Sequence, residues 1–369
     1  MSTHRLRTGL AAFALAAAAT LAAASAAQAS TAGPGAGARH DGSGFNRPGD
    51  LVIADQFNNR IIEVNAQHHI VWQFGDGSLV VGPHSVVGPN DAERVGDLTL
   101  VSGTGIPAGA DPACTDPNGC QDNRVLLVDR HGDIVWQYGQ AGVPGAGADQ
   151  LNTPVQATVL PYGDVLIADQ LNERIIEVTL SHRIVWQYGQ TGVAGSGPDQ
   201  LNNPNSAELL SNGNILIADE SNNRVIEVNR RHQIVWQYGD PSNTNLVNGA
   251  AFASRLPNGD TLITSANDSR IIEVNHAGHV VFNYVTNTRP GSISAPAPTR
   301  AVRLRDGNTL ISDQFNNQVI EITPQGKIVF TQGAIAVSGT GFDQLNAPYD
   351  AKVVGDYTGL TPPGIFSRF

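Results

Sequence analysis

Short apolar runs alternate with polar turns along most of the chain, and the alternation recurs. Three neighbouring segments share one order of apolar and polar positions: VLIADQLNERIIEVTLSHRIVWQYG (165–189), ILIADESNNRVIEVNRRHQIVWQYG (215–239) and TLITSANDSRIIEVNHAGHVVFNYV (261–285). Related segments start at residues 51, 123 and 309, which makes six copies. The runs are short, rich in Val and Ile, and bounded by Asn, Asp and Gly. This pattern predicts β-strands joined by turns, with no long helix.

A fixed interval within the copies identifies the repeating unit. The Arg or Gln that opens the third predicted strand precedes an aromatic residue of the fourth strand by 12 residues in every copy. The spacing from one copy to the next varies in length, whereas the interval within a copy does not. The second copy carries an insertion at about 103–122. Four antiparallel strands in a repeat of nearly 50 residues predict a β-propeller blade. The repeated aromatic residues are then expected to pack between blades: Trp72, Trp136, Trp186, Trp236, Phe282 and Phe330.

The two ends of the repeat region complement each other. The first copy begins at Leu51 and lacks an innermost strand, whereas the segment 343–354 matches, without a gap, the segment 199–210 that opens the fourth copy. We therefore predict that the last strand completes the first blade, which removes the exposed sheet edges of an open ring. The predicted fold class is all-β: a six-bladed propeller of four-stranded antiparallel blades, closed by the C-terminal strand.

The repeat resembles a known family. The pattern P-x-x-A, followed by NG-N-I-L-I-A-D-x-x-N-N-R and an apolar strand, is clearest from Pro204 to Val228 and is similar to the NHL repeat over residues 46 to about 355. The resemblance implies a propeller of a type found in scaffolds, receptor domains, sugar lactonases and lyases. The strand IVWQYG is more weakly similar to arylsulfotransferase-like and quinoprotein-like propellers.

The N-terminal segment predicts export from the cell, and the net charge bears on the kind of partner. Residues 1–29 carry basic residues, then an Ala/Leu run that ends in Ala27-Gln28-Ala29, which is typical of a cleaved secretory signal peptide. We expect a flexible linker at 30–44, a single propeller domain at 45–369, and no stable membrane span after signal cleavage. With 22 Lys+Arg against 33 Asp+Glu, the net charge of −11 argues against a nucleic-acid partner.

Unlike polar residues at the predicted starts of the innermost strands are the first candidate site. His84 lies in Gly82-Pro83-His84-Ser85, which we align with the innermost strands of the other blades, so its side chain is expected to face the central channel. Unlike polar groups converging at a channel mouth can orient a polar ligand, with His84 as base or nucleophile and Arg300 binding an anion. A hydrated channel entrance is the alternative. The predicted ligand-binding residues are His84, Gln156, Asn205, Arg300, Tyr349 and Asp350.

The insertion supports two further predictions. Cys114 and Cys120 are close in sequence, and in an exported protein they are expected to form a local disulfide. Oxygen-bearing side chains surround them, so the loop is also a candidate site for calcium or another divalent cation, although its spacing does not match an EF-hand. The candidate ligands are Asp111, Asp116, Asn118 and Asp122.

Two functions remain open at the level of sequence. The first is a secreted binding or scaffold module that takes a protein or glycan ligand through its loop-rich face and channel mouth. The alternative is a propeller enzyme, either a metal-dependent lactonase or lyase or an arylsulfotransferase-like protein, that uses His84 and neighbouring channel residues.

Overall fold

The computed structural model describes residues 44–364, which contain 24 strands arranged as six four-stranded antiparallel sheets. The predicted signal peptide and all but the last residue of the predicted linker lie outside the described residues. Blade 1 comprises β1 (Leu51–Asp55), β2 (Arg60–Val64) and β3 (Ile70–Phe74). Blade 2 comprises β4 (Pro89–Val95), β5 (Leu98–Ile106), β6 (Cys120–Asp129) and β7 (Ile134–Tyr138). Blade 3 comprises β8 (Pro154–Val159), β9 (Val165–Asp169), β10 (Arg174–Val178) and β11 (Ile184–Tyr188).

The remaining blades repeat this order. Blade 4 comprises β12 (Pro204–Leu209), β13 (Ile215–Asp219), β14 (Arg224–Val228) and β15 (Ile234–Gly239). Blade 5 comprises β16 (Ala250–Arg255), β17 (Thr261–Ser265), β18 (Arg270–Val274) and β19 (Val280–Val285). Blade 6 comprises β20 (Pro298–Arg303), β21 (Thr309–Asp313), β22 (Gln318–Ile322) and β23 (Ile328–Gln332). The last strand, β24 (Pro348–Val353), pairs with β1 and supplies the innermost strand of blade 1.

The predicted six-bladed propeller and its closure by the C-terminal strand are confirmed. Each blade contacts the next through its inner strands, and blade 6 contacts β24 of blade 1, so the ring is complete. The inner strands are almost entirely buried, whereas the outermost strands are partly exposed, most of all at their first two residues. Apolar clusters therefore lie between blades rather than in one central core. None of the helices in the described part of the chain is long and apolar enough to span a membrane.

A repeated polar corner links each second strand to the third. In blade 4, Asp219 accepts hydrogen bonds from Arg224 Nε at 2.7 Å and from Asn222 Nδ2 at 2.8 Å, and its other oxygen accepts from the Asn202 N–H. Asp55 and Asp169 make the same contacts in blades 1 and 3. The repeated Asp, Asn and Arg therefore form a corner, in which the aspartate binds the turn that follows its strand and the loop that precedes its blade.

The repeated tryptophans join neighbouring blades, as the sequence predicts. Trp72 and Trp136 are buried, and the indole N–H of each donates to a backbone carbonyl in the next blade: Arg130 for Trp72 and Leu180 for Trp136, both at 3.0 Å. Trp236 makes the equivalent bond to His276 at 3.2 Å. These aromatic residues therefore stabilise the packing between blades.

Candidate functional site

His84 lies outside the central channel, so its predicted placement is wrong. It is an exposed residue of the loop between β3 and β4, and its Nδ1 lies 3.1 Å from the carbonyl oxygen of Gly132, in the turn before the outermost strand β7. It lines a surface hollow of about 470 Å³ together with Arg124, Asp133 and Gln137. The innermost strand of blade 2 starts five residues later, at Pro89.

The repeat pattern identifies the residue of blade 2 that occupies the position first assigned to His84. Pro89-Asn90-Asp91-Ala92 fits the P-x-x-A pattern that opens four of the five other innermost strands, such as Pro204-Asn205-Ser206-Ala207. The apolar pair Val86-Val87 resembles the start of a strand but lies in the loop. Val87 packs against Ile106 and Cys114 of the insertion, and Val86 belongs to the apolar cluster between blades 1 and 2. Asn90 and Asp91 therefore occupy the positions in blade 2 that the sequence analysis assigned to His84 and Ser85.

Three of the predicted residues do converge at the mouth of the channel, the face where the innermost strands begin. Asn205 Nδ2 donates to the Tyr349 hydroxyl at 2.9 Å, and Asn205 Oδ1 accepts from Arg300 Nη1 at 3.0 Å. Tyr349 belongs to blade 1 and Asn205 to blade 4, which lie opposite each other in a ring of six. The guanidinium of Arg300 also lies 5.0 Å from the Tyr349 ring. These contacts cross the channel axis.

Polar side chains that the sequence analysis missed complete this network. Glu220 accepts hydrogen bonds from Asn205 at 2.8 Å and from Gln170 at 3.2 Å. In blades 1, 2 and 6, Gln56 donates to Asn90 at 2.7 Å and accepts from Gln314 at 2.7 Å. Burial raises the pKa of Glu220, and it raises the pKa of Tyr349 to about 12. The signal that could have identified Gln56, Gln170, Glu220 and Gln314 is their common place, directly after the Asp that ends each second strand.

Gln156 and Asp350 lie deeper, where they join blades. The Ala207 N–H donates to Gln156 Oε1 at 2.6 Å, and the Ala92 N–H donates to Asp350 Oδ2 at 3.2 Å. Asp91 accepts in the same way from Ala157, at 3.3 Å. In each case a side chain on one innermost strand satisfies a backbone donor of the next blade. Gln156 and Asp350 therefore help to hold neighbouring blades together.

A buried charge cluster fills the channel below the mouth. Lys352 Nζ donates to Asp350 Oδ2 at 2.5 Å and to Asp91 Oδ1 at 2.7 Å, while Glu93 and Glu208 lie within electrostatic range of the same lysine. Burial opposes the charge on Lys352, but the carboxylates outweigh it and raise the pKa of the ammonium group. Four carboxyl groups surround one ammonium group, so the cluster favours bound protons.

The pKa values of Asp91 and Glu93 in this cluster are raised. Burial raises the pKa of Asp91 to about 7 against the opposing charge of Lys352, and it raises the pKa of Glu93 well above its ordinary value. Glu93 Oε2 and Asp350 Oδ1 are fully buried and have no hydrogen-bond donor among residues 44–364. Arg300 Nε and Nη2 are buried in the same way. The cluster thus contains several buried polar atoms without a partner among the described residues.

The C-terminal segment 357–364 lies across the base of the channel, the face where the innermost strands end. Thr361 donates to Glu208 Oε2 through its N–H at 2.7 Å and its hydroxyl at 2.6 Å, and its Oγ1 accepts from the Leu209 N–H. The Tyr357 hydroxyl donates to the carbonyl of Arg94 at 2.9 Å. The Gly364 N–H donates to the carbonyl of Val159. The segment thus contacts blades 2, 3 and 4 and covers the base.

The insertion forms the predicted disulfide between Cys114 and Cys120. Its oxygen-bearing residues, however, do not converge. Asp111 and Asp116 each accept the N–H two residues ahead, as isolated turns, and Asn118 is exposed. Among the described residues no three His, Cys, Asp or Glu side chains are placed to hold a metal ion.

Asp122 belongs to the fold rather than to the predicted calcium ligands. It is fully buried, binds Arg124 Nε at 2.6 Å and accepts the Val87 N–H at 2.7 Å. Blade 2 has Gly103 where blades 1, 3, 4 and 6 have the corner aspartate, and a Cβ there would lie 2.5 Å from the Asp122 carboxyl carbon. Asp122 therefore replaces the missing corner aspartate from the adjacent strand.

The inter-blade loops form the other candidate site. We call the face at which they lie the loop face, and it includes the turn of the disulfide hairpin (107–119) and the six loops at 75–88, 139–153, 189–203, 240–249, 286–297 and 333–347. Each of the six loops exposes an aliphatic side chain: Val80 (73%), Val143 (46%), Val193 (44%), Leu246 (41%), Ile293 (38%) and Val337 (49%). Phe342 adds an aromatic ring that is 69% exposed. Val143, Val193 and Val337 are equivalent positions, four residues after the Gly that follows the fourth strand, and the other three loops each expose an aliphatic residue elsewhere. Exposed apolar residues that recur around one face make that face a candidate interaction surface.

The disulfide hairpin supports one sector of the loop face. β5 and β6 extend to nine and ten residues, so the hairpin projects from blade 2 on that face. Its Ile106 and Cys114 pack with Val87, and Leu79 and Val81 of the loop 75–88 lie against them. The disulfide hairpin thus packs against the loop residues on either side of Val80.

Comparison with known proteins is informative about the fold. No family model matches the sequence, and no curated protein sequence matches it. Among solved structures, a protein of unknown function from Bacteroides caccae has 17% sequence identity and a TM-score of 0.54, covering 77% of this chain and 93% of that chain. A streptogramin B lyase has 14% identity and a TM-score of 0.50, covering 79% of this chain and 80% of that chain.

A virginiamycin B lyase from Staphylococcus aureus has 13% identity and a TM-score of 0.48, covering 76% of this chain and 79% of that chain. At such identities the likeness concerns the fold alone. The chain shares its fold with the Bacteroides caccae protein and the streptogramin B lyase.

Proposed function

We propose that the protein is a binding module that engages a protein partner through its loop face. The observation that carries the proposal is the exposed aliphatic residue in each of the six loops. A buried interface stabilises a complex by removing such side chains from water, at about 25 cal/mol per Å² of apolar area. Six copies around one ring provide a broad surface, which suits a protein better than a small molecule.

The state of the channel also favours binding at the loops over chemistry on the axis. The mouth is crossed by Tyr349, Asn205 and Arg300, and the base is covered by the segment 357–364. His84, the nucleophile of the enzyme hypothesis, lies on the outer rim, in the loop before β4. His84 and the channel residues that the enzyme hypothesis combines are therefore not together at one place.

The proposal includes an extracellular location and an NHL-like assignment of the repeats. The Cys114–Cys120 disulfide supports the location, because such bonds persist in oxidising compartments. The signal-peptide pattern of residues 1–29 supports it independently. The NHL-like assignment rests on the P-x-x-A pattern and the repeated corner aspartates.

Two matched variants test the proposal. The first replaces Val143, Val193 and Val337 of the loop face by Ser. The control replaces Val185, Val235 and Val329 by Ser, because these valines of the outermost strands are equally exposed, at 47%, 51% and 50%. Each protein is immobilised, challenged with extracellular proteins, and the retained protein is then purified and titrated against all three.

We expect one protein to bind the wild type and the control saturably and to bind the loop variant at least tenfold more weakly. Loss of three exposed valines from an interface corresponds to about 1.4 kcal/mol or more, which is that tenfold change. Equal binding by the loop variant, or equal weakening in both variants, would overturn the proposal. Unfolding transitions of all three proteins establish that the variants are folded.

A further inference from the structure

The charges of the loop face differ sharply from those of the opposite face. Its loops and the hairpin turn contain one Arg, no Lys and no Glu. They contain seven aspartates: Asp76, Asp111, Asp116, Asp149, Asp199, Asp240 and Asp343. The exposed aliphatic residues therefore lie within a strongly acidic surface.

The turns of the opposite face are balanced. They join the first strand of a blade to the second and the third to the fourth, and with the segment 354–364 they contain six acids and six bases. The turns between third and fourth strands also reach the rim of the loop face, as the contact of Gly132 with His84 shows. The acids are Asp97, Asp133, Asp164, Asp260, Asp306 and Asp356, and the bases are Arg130, Arg183, Arg230, Arg231, Arg305 and Lys327. The excess negative charge of the propeller surface is thus concentrated where the aliphatic residues are exposed.

The single arginine of these loops does not offset that charge. Arg289 is nine-tenths buried, pairs with Asp313 and donates to Gln318 Oε1 at 2.9 Å. By contrast, Asp76, Asp116 and Asp240 are exposed, and each is accompanied by turn N–H donors rather than by a cation. Hydrogen bonds from Ser242 lower the pKa of Asp240, so this carboxyl is ionised at neutral pH. Asp149, Asp199 and Asp343 differ, because each lies 3.0–3.2 Å from a histidine Nδ1, of His182, His232 and His68 respectively. Among the described residues, the negative charge that a partner meets without a neighbouring cation is therefore that of Asp76, Asp116 and Asp240.

The charge discriminates between possible occupants of the face. A second copy would bring two acidic faces together, and an anionic membrane would do the same, so both are opposed by like-charge repulsion. A basic surface is attracted, and its association is accelerated by the field of the acidic face. The aliphatic residues add apolar contacts that a purely ionic partner would leave unused.

We propose that the loop face recognises a basic protein segment in which Lys or Arg alternates with apolar side chains. This inference rests on the proposed binding function and adds the chemistry of the partner to it. The carboxylates of the loops steer and orient the segment, and the loop aliphatics bury its apolar side chains.

The test uses the full mature protein and three short synthetic peptides. The first contains Lys, Leu and Gly; the second has Glu in place of Lys; the third has Ser in place of Leu. Fluorescence anisotropy measures binding at salt concentrations of about 0.1 M and about 1 M, where the screening length falls from about 10 Å to about 3 Å. We expect saturable binding of the Lys/Leu peptide, weaker binding of the Lys/Ser peptide, and a loss of affinity at high salt.

Two variants with the same change in net charge locate the site. One carries Asp76→Asn, Asp116→Asn and Asp240→Asn on the loop face, where the amide oxygen retains the turn hydrogen bonds. The other carries Asp97→Asn, Asp260→Asn and Asp306→Asn on the opposite face. The loop variant is expected to bind the Lys/Leu peptide about tenfold more weakly, and the opposite-face variant is expected to bind it like the wild type.

Equal weakening in both variants, preference for the Glu peptide, or binding of anionic vesicles in place of the peptide would each overturn this inference. Its failure is distinguishable from failure of the proposed function. A partner lost by the valine variant but retained by the aspartate variant leaves the binding function intact and excludes a basic partner. A partner retained by both variants excludes the loop face altogether.

Discussion

At the scale of the residue, in two blades that lack one of the repeated corner residues, a side chain from a neighbouring strand or loop replaces it. Blade 2 has Gly103 in place of the corner aspartate, and Asp122 fills the vacated space from the neighbouring strand. Blade 6 has Gln318 in place of the corner arginine, and Arg289 from the preceding loop pairs with Asp313 instead. Residues that look irregular in the sequence thus complete a regular corner, which the position of Asp122 beside the cysteine insertion did not reveal.

Asp122→Ala provides a prediction at this scale. Removing the carboxylate leaves Arg124 buried without its partner, so we expect a loss of about 3–5 kcal/mol in the free energy of unfolding. Chemical denaturation with and without calcium measures it, and the loss should be the same in both. The exposed Asp116→Ala is the control, with a change within about 0.5 kcal/mol. Unchanged stability together with lost calcium binding would contradict the structural assignment.

The buried carboxyl groups of the channel give a pH dependence. The folded-state pKa of Asp91 is raised from 3.8 to about 7, and that of Glu93 is also raised, so the folded protein binds more protons than the unfolded chain in this range. Their contribution to stability is present below about pH 4 and is lost as the pH rises towards about 7. Glu93→Gln should flatten this decline, as measured by urea denaturation across the range, whereas the exposed Asp97→Asn should not. A decline of equal slope in Glu93→Gln would exclude the cluster as its source.

At the scale of the element, the strands were predictable and the starts of strands were less so. Alternating apolar runs and a constant interval of 12 residues define the blades, because every blade buries the same positions. Val86-Val87 has the apolar character of an innermost strand, yet the strand starts at Pro89, where the chain enters the ring. Local pattern alone does not separate these two starts. The P-x-x-A pattern does, because the Ala N–H must meet a side chain of the preceding blade.

The C-terminal segment 357–364 lies outside the repeat, and no pattern in the sequence predicted its position. We expect Thr361→Val to cost about 1–3 kcal/mol, because Glu208 loses a buried hydrogen-bond donor and the Leu209 N–H loses its acceptor. Thermal or urea unfolding measures this loss. Thr115→Val, at an exposed position of the hairpin, is the control and should be neutral. Equal stability of the two variants would show that the segment does not hold the base closed.

At the scale of the whole molecule, the propeller separates stability from recognition. Charged and polar residues that break the sixfold pattern fill the axis, where Asn205, Arg300 and Tyr349 bind one another. The convergence of these three was predictable from the repeat alignment, but their distances across the ring were not, because they depend on which side chains are long enough to meet. The loops, in contrast, repeat an exposed aliphatic residue and an acidic character around one face.

The most direct measurement of the central claim is amide hydrogen exchange of the protein with and without its bound protein partner. We predict that binding slows exchange in the loops around Val143, Val193 and Val337, and leaves the turns of the opposite face and the innermost strands unchanged. Slowed exchange in the turns 160–164, 210–214 and 256–260, or in the innermost strands that line the channel, would contradict a loop-face binding module.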